Sequence, residues 1–235
     1  MKKVYLLGLL IIMFGAKAGA QNSAAGTFKG GLKINPSFTW LKTEAENSSQ
    51  PIVNDGVKFG FSYGVFGDYY FAENYGLSAE LRIAHLGVGY TYSPNNAVVR
   101  SVERDLSMQF VEIPVTLKMR TNEIGYMRYF GQFGFMPSIN IKANADQVLT
   151  DAAGGKRTND NLKVMKDVNP LGLSLVIGAG VEYNLGGSTS LLGGLTFNNG
   201  FTNLMNKKAD DPAMESYRNF NAKMAYIALN LGVIF

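Results

Sequence analysis

The last stretch of the chain, NAKMAYIALNLGVIF (221–235), puts Ala225, Ile227, Leu229, Leu231, Val233 and Phe235 on one parity. Tyr226, Ala228, Asn230, Gly232 and Ile234 fall on the other. A strict period of two marks a β-strand whose two faces meet different surroundings. Seven further stretches carry the same period. Phe28–Leu41 sets Leu32, Ile34, Phe38 and Trp40 against Lys33, Asn35, Ser37 and Thr39. Val57–Phe71 sets Phe59, Phe61, Tyr63, Val65, Tyr69 and Phe71 against Gly60, Ser62, Gly64 and Asp68. Gly76–Tyr92 opens with Leu77, Ala79, Leu81 and Ile83 against Ser78, Glu80 and Arg82. Beyond His85 the apolar residues Leu86, Val88, Tyr90 and Tyr92 take the other parity, which predicts a β-bulge at that point.

Ser107–Met119 continues the series with Val111, Ile113, Val115 and Leu117 against Glu112, Thr116 and Lys118. Pro114 within it lacks a ladder donor and predicts a bulge or a rim position. Met127–Lys142, Pro170–Asn184 and Thr189–Asn199 complete eight strands. Their connections cover 42–56, 72–75, 93–106, 120–126, 143–169, 185–188 and 200–220, so that long and short segments alternate. Short turns at one rim and long loops at the other describe an outer-membrane barrel with an even strand count. A closed soluble barrel would also alternate, but its polar face would be rich in charge. Here that face is mostly Gly, Ser, Thr and Asn, which suits a narrow eight-stranded interior. Tyr69, Phe71, Tyr129, Tyr183, Phe197 and Phe235 lie near strand ends on the apolar parity, where aromatic girdles form at lipid–water boundaries.

The amino-terminus agrees with this reading. Met1-Lys2-Lys3, an apolar stretch over Val4–Phe14 and Ala18-Gly19-Ala20 have the three-part layout of a cleaved secretory signal. The expected division is a signal peptide over 1–20 and one barrel domain over 21–235. Eleven apolar residues are too few for a spanning helix, which needs about 20. Removing Lys2, Lys3 and Lys17 lowers the formal charge from +4 to +1, and no basic run for tracking nucleic acid remains. The absence of cysteine excludes disulfides, thiolate metal sites and a lipid-anchored amino-terminus.

YGLSAELRIA (75–84), straight after a short turn, and FVEIPVTLKMR (110–120), an apolar–Glu–Ile–Pro–apolar strand ending on a basic residue, carry a family likeness. Through them the chain resembles the PorT-type small outer-membrane β-barrel proteins of Bacteroidetes, on the plan of OmpX- or OmpA-like eight-stranded barrels. The resemblance implies an all-β, antiparallel up-and-down transmembrane barrel in the outer membrane. For the member after which the family is called, it also implies a link to protein secretion across that membrane.

Parity assigns Lys33, Asp68, Glu80, Arg82, Glu112, Lys118, Arg128 and Glu182 to the interior. Charges in a narrow lumen need partners, so a polar network is expected, with Glu80, Arg82, Glu112 and Arg128 as one cluster. A filled lumen is favoured over an ion path, because eight strands leave little more room than side chains occupy. His85, the single histidine, has Ser93, Asp105 and Ser107 near it by position, yet no nucleophile motif accompanies them. No catalytic residue, metal site or cofactor is therefore assigned. The mixed charges of 143–169 and 200–220 read as solvated surface loops, with Gly154-Gly155 as a mobile point. Asp210-Asp211 lacks the regular oxygen spacing of a calcium loop. Tyr226 and Phe235 are expected to form the signal read by the barrel assembly machinery. The expected partners are outer-membrane lipid, that machinery and a protein at the outer loops, with no nucleic acid.

Overall fold

The computed structural model describes residues 26–44, 53–94, 98–206 and 221–235; the expected signal peptide lies outside them. The strands are β1 (Thr27–Glu44), β2 (Val53–Asn54), β3 (Lys58–Ala72), β4 (Tyr75–Tyr92), β5 (Val99–Glu112) and β6 (Val115–Arg120). They continue as β7 (Met127–Asp151), β8 (Lys156–Lys163), β9 (Leu171–Gly186), β10 (Thr189–Gly200) and β11 (Asn221–Ile234). Every pairing is antiparallel, and β11 pairs with β1 from Gly31↔Ile234 to Glu44↔Asn221, which closes the sheet. Because β5 and β6 lie end to end between β4 and β7, the wall has eight strands.

Pro114 causes the interruption between β5 and β6. Glu80 N donates to Pro114 O at 3.0 Å, and the reciprocal bond is impossible without a proline N–H. The register passes through unchanged, from Arg82↔Glu112 to Ala79↔Val115, so Pro114 is neither a bulge nor a rim residue. The bulge expected at His85 is also absent. β4 keeps one register with β5 from Arg82↔Glu112 past His85↔Gln109 to Tyr92↔Val102. The slip sits on β7 instead, where Gln109 pairs Lys142 but Phe110 pairs Asn140, leaving Ile141 as the extra residue.

The continuity of β4 gives Leu86, Val88, Tyr90 and Tyr92 another explanation. They point into the barrel and are buried beside Leu106, Met108 and Phe110 of β5 and Ala143 and Ala145 of β7. On the outward parity the order is reversed. Ile113, Val115, Phe133, Phe135, Ile139 and Ile141 are exposed below that level, and His85, Asp105, Ser107, Asn144 and Asp146 face outward above it. One rule covers both halves: apolar side chains face whatever is not water. Below, the outside meets lipid; above, the outside meets water and the interior becomes a hydrophobic core. At ordinary strand rise and barrel tilt, the outward apolar band from Val111 to Met119 and from Tyr129 to Ile141 is about 20–30 Å tall. Outer-membrane barrels need about 25 Å.

The rims follow the expected asymmetry, but the outer side is more ordered in strands. β3–β4, β6–β7 and β9–β10 are joined by short turns, and the long connections all lie at the other rim. Residues 143–169, expected as a solvated loop, instead extend β7 and form a hairpin with β8 above the membrane. The Asp151 carboxylate accepts from Ala153 N at 3.0 Å and Gly155 N at 2.7 Å, and Gly154 takes φ 88° to close the turn. Gly154-Gly155 is thus a hairpin turn. Asp210-Asp211 lies outside the described residues.

Candidate functional site

Inward-facing side chains occupy the lumen in layers. Nearest the periplasmic turns, Lys118 Nζ of β6 lies 2.6 Å from Asp68 Oδ2 of β3 and 2.5 Å from Glu182 Oε1 of β9. Lys29, which pairs with Asp68 in the β1–β3 ladder, brings a further cation to that end. The Lys118 ammonium stands 4.6 Å from the Phe130 ring, and Phe130 joins Phe66, Leu192 and Ile234 in a small buried apolar layer. Above it, Lys33 Nζ meets Glu80 Oε2 at 3.2 Å. Arg82 Nε meets Glu112 Oε2 at 2.6 Å, with Arg82 Nη1 at 3.8 Å from Glu80 Oε1.

Tyr226 completes the second cluster from the opposite wall. Arg82 Nη2 donates to its hydroxyl oxygen at 2.6 Å, and the hydroxyl donates to Glu112 at 3.1 Å. Arg82 and Glu112 are 3% and 1% exposed, so each charge has exchanged water for its partner. β11 therefore contributes a hydrogen-bonding group to the network as well as the closing seam. The Tyr226 side chain points inward, and Phe235 is exposed at the periplasmic rim.

Arg128 stands apart from this cluster. Its Nη2 pairs with Glu123 Oε2 of the β6–β7 turn at 2.6 Å, with both side chains part-exposed. Its parity is inward, but it lies at the open end of β7, where a turn carboxylate reaches it before any lumen group. The expected grouping with Glu80, Arg82 and Glu112 is corrected accordingly.

Little space remains within the upper ion-paired cluster. The cavity bounded by Lys33, Glu80, Arg82, Thr116, Gln132 and Asn230 has a volume of about 10 Å³, the room of roughly one water molecule. Over it lies the apolar core of Ala84, Leu86, Val88, Leu106, Met108 and Phe110. Arg104 and Gln147 continue the inward faces of β5 and β7 at the outer mouth, where Arg104 Nε donates to Gln147 Oε1 at 3.1 Å. Both fall in the connections 93–106 and 143–169 of the sequence pattern. The usable signal was the parity of Val102, Arg104 and Leu106 with Met108 and Phe110.

His85 faces outward and stacks on Tyr63 with ring centroids 6.2 Å apart. Asp105 is held by Lys58 at 2.7 Å. Among the described residues no group of three or more His, Cys, Asp or Glu side chains is arranged to hold a metal ion.

A family model described as outer membrane protein beta-barrel domain matches residues 19–206. No curated protein sequence matches the chain significantly. Among solved structures, the attachment invasion locus protein Ail of Yersinia pestis is 14% identical, covering 90% of this chain and 99% of its own, with a TM-score of 0.39. Neisserial surface protein A is 11% identical over 88% of this chain and 95% of its own, at a TM-score of 0.42. The outer membrane protein OprG of Pseudomonas aeruginosa is 11% identical over 90% and 96%, at a TM-score of 0.43.

Proposed function

Because the chain belongs to the outer membrane protein beta-barrel domain family, an integral outer-membrane class, we propose that it works as a non-enzymatic interaction and structural protein. Its lumen is closed, and its activity lies in what it presents outside the cell. The filled lumen is the observation that carries this reading. The cavity bounded by Lys33, Glu80 and Arg82 has only about 10 Å³, and an apolar core lies over it. A solute path would need a continuous wet channel, which eight-stranded barrels rarely leave. The tall outer wall of β4, β5, β7 and β8 then offers surface to a protein partner. Within this reading, the PorT-like motifs at 75–84 and 110–120 support an accessory role in protein secretion. Outer-membrane lipid around the apolar band and the barrel assembly machinery at Phe235 are the other partners proposed.

Planar-bilayer recording of purified, refolded protein tests the closed lumen. No steady single-channel current is expected; a reproducible conductance would replace this reading with a small-solute or ion channel. Secretion is tested separately by deleting the gene and comparing the proteins released into the medium, where an unchanged profile removes the secretion role alone.

A further inference from the structure

We propose that the periplasmic rim holds a site for one membrane phospholipid, with its phosphate at Arg120 and Thr121 and an acyl chain on the wall at Gly131. A groove of about 370 Å³ lies there on the outward face of β4, β6 and β7, lined by Tyr75, Met119, Arg120, Thr121, Tyr129 and Gly131. Its size lies in the range of small-molecule sites, about 300–1,000 Å³. The apolar end follows from one row of the sheet, Tyr75↔Met119, Met119↔Gly131 and Gly131↔Ala179. Along that row the outward side chains shrink from a tyrosine to nothing at Gly131, where a Cβ would find no atom nearer than 4.0 Å. Tyr129 and Phe133, both exposed, stand two residues to either side on β7 as the banks of the furrow.

The polar end lies just past the apolar band, which closes at Met119 and Tyr129. Arg120 is held there by three neighbours. Its main-chain N–H donates to Asn74 O at 2.9 Å and its Nε to Glu73 O at 3.1 Å, and its guanidinium carbon stands 3.5 Å from the centre of the Tyr70 ring. None of those partners is an anion. Among the described residues no carboxylate pairs with Arg120, and its Nη1 has no hydrogen-bond partner. The nearby Arg128, by contrast, is balanced by Glu123. Thr121 Oγ1 accepts from Tyr129 N at 3.1 Å, which leaves its hydroxyl proton to donate. A guanidinium takes phosphate oxygens through paired N–H donors, and tyrosines suit the boundary between lipid tails and water. The ligand that fits is anionic at one end, apolar at the other and present at that depth, which describes a bilayer phospholipid. A free phosphate ion would leave the apolar furrow empty.

Native mass spectrometry of the refolded mature chain, released from detergent micelles doped with phosphatidylglycerol, tests the site. One retained phosphatidylglycerol is expected, held about tenfold tighter than diacylglycerol with the same chains and no phosphate. Glycerol 3-phosphate, which lacks the chains, should not displace it. Arg120→Gln and Gly131→Leu should each weaken retention about tenfold, the first by removing the cation and the second by filling the furrow. Gly193→Leu, at another open lipid-facing glycine, should change nothing. Heat-dependent gel migration verifies that each variant is a closed barrel; if Arg120→Gln does not close, Gly131→Leu and the diacylglycerol comparison decide. Absence of a retained phosphatidylglycerol, equal retention of diacylglycerol, displacement by glycerol 3-phosphate, or an equal effect of Gly131→Leu and Gly193→Leu would each overturn the site. The site rests on the lipid-facing position of the apolar band and adds one held molecule to it. None of these results bears on whether the lumen conducts, so the closed-lumen reading stands or falls by itself.

Discussion

At the scale of single residues, the lumen shows what the interior of a narrow barrel demands. Glu80, Arg82, Glu112, Lys118 and Glu182 could be placed inside by parity alone. Their pairings could not, because Arg82, Glu112 and Tyr226 come from three strands whose levels are fixed only when the sheet closes. Removing one member of such a buried pair leaves the other charge unpaired, at a cost of about 3–5 kcal/mol. Glu112→Ala should therefore lower the urea midpoint of the refolded barrel markedly, and Arg82→Met with Glu112→Met should regain much of the loss. Gly134 and Gly193 form a second contrast. A Cβ on Gly134 would fall 2.1 Å from Val115 O and 2.6 Å from Thr116 Cα, both backbone atoms of the next strand. A Cβ on Gly193 would meet nothing within 4 Å. Gly134→Ala should reduce the heat-shifted folded fraction on gels, whereas Gly193→Ala should leave it as it is.

At the scale of strands, the exchange of apolar parity between inside and outside locates the membrane. The chain announces it in Gly76–Tyr92, where apolar residues change parity past His85. A bulge is one way to produce that pattern. A straight strand passing from lipid into water is another, and periodicity cannot separate the two because both move apolar residues onto the opposite face. The unbroken ladder of β4 with β5 selects the second. The charge test is direct. Val115→Arg, in the lipid-facing band, should cost about 2–4 kcal/mol of unfolding free energy in liposomes. Ser107→Arg, on the same outward face but above the band, should cost no more than about 1 kcal/mol. Equal costs would mean the boundary is misplaced. β8 belongs to this scale too. Among the described residues it pairs only with β7, and it carries Lys156, Arg157, Asp160 and Lys163, with Asn161 at φ 56°. Charges and a twisted backbone on such a strand discourage pairing with other chains.

At the scale of the whole molecule, closure of β11 on β1 decides the rest. The seam runs from Gly31↔Ile234 to Glu44↔Asn221 and leaves Phe235 exposed at the periplasmic rim, its N–H donating to Gly30 O at 2.8 Å. Deleting Phe235 removes one terminal bond and no core contact. Recovery in the outer-membrane fraction should fall, while the barrels that do insert should keep their heat-dependent gel shift. A loss of stability without a loss of insertion would refute its part in assembly. The amino-acid sequence by itself determined the period of two, the eight strands, the unequal rims and the inward parity of most lumen charges, because each follows from neighbours along one strand. Tertiary structure decided which charges pair, that Arg128 turns to Glu123, that the bulge lies on β7, and that Arg104 and Asp167 meet at the outer mouth. Those contacts join residues far apart in the chain, and their alignment depends on the stagger of all eight strands, which closure alone sets.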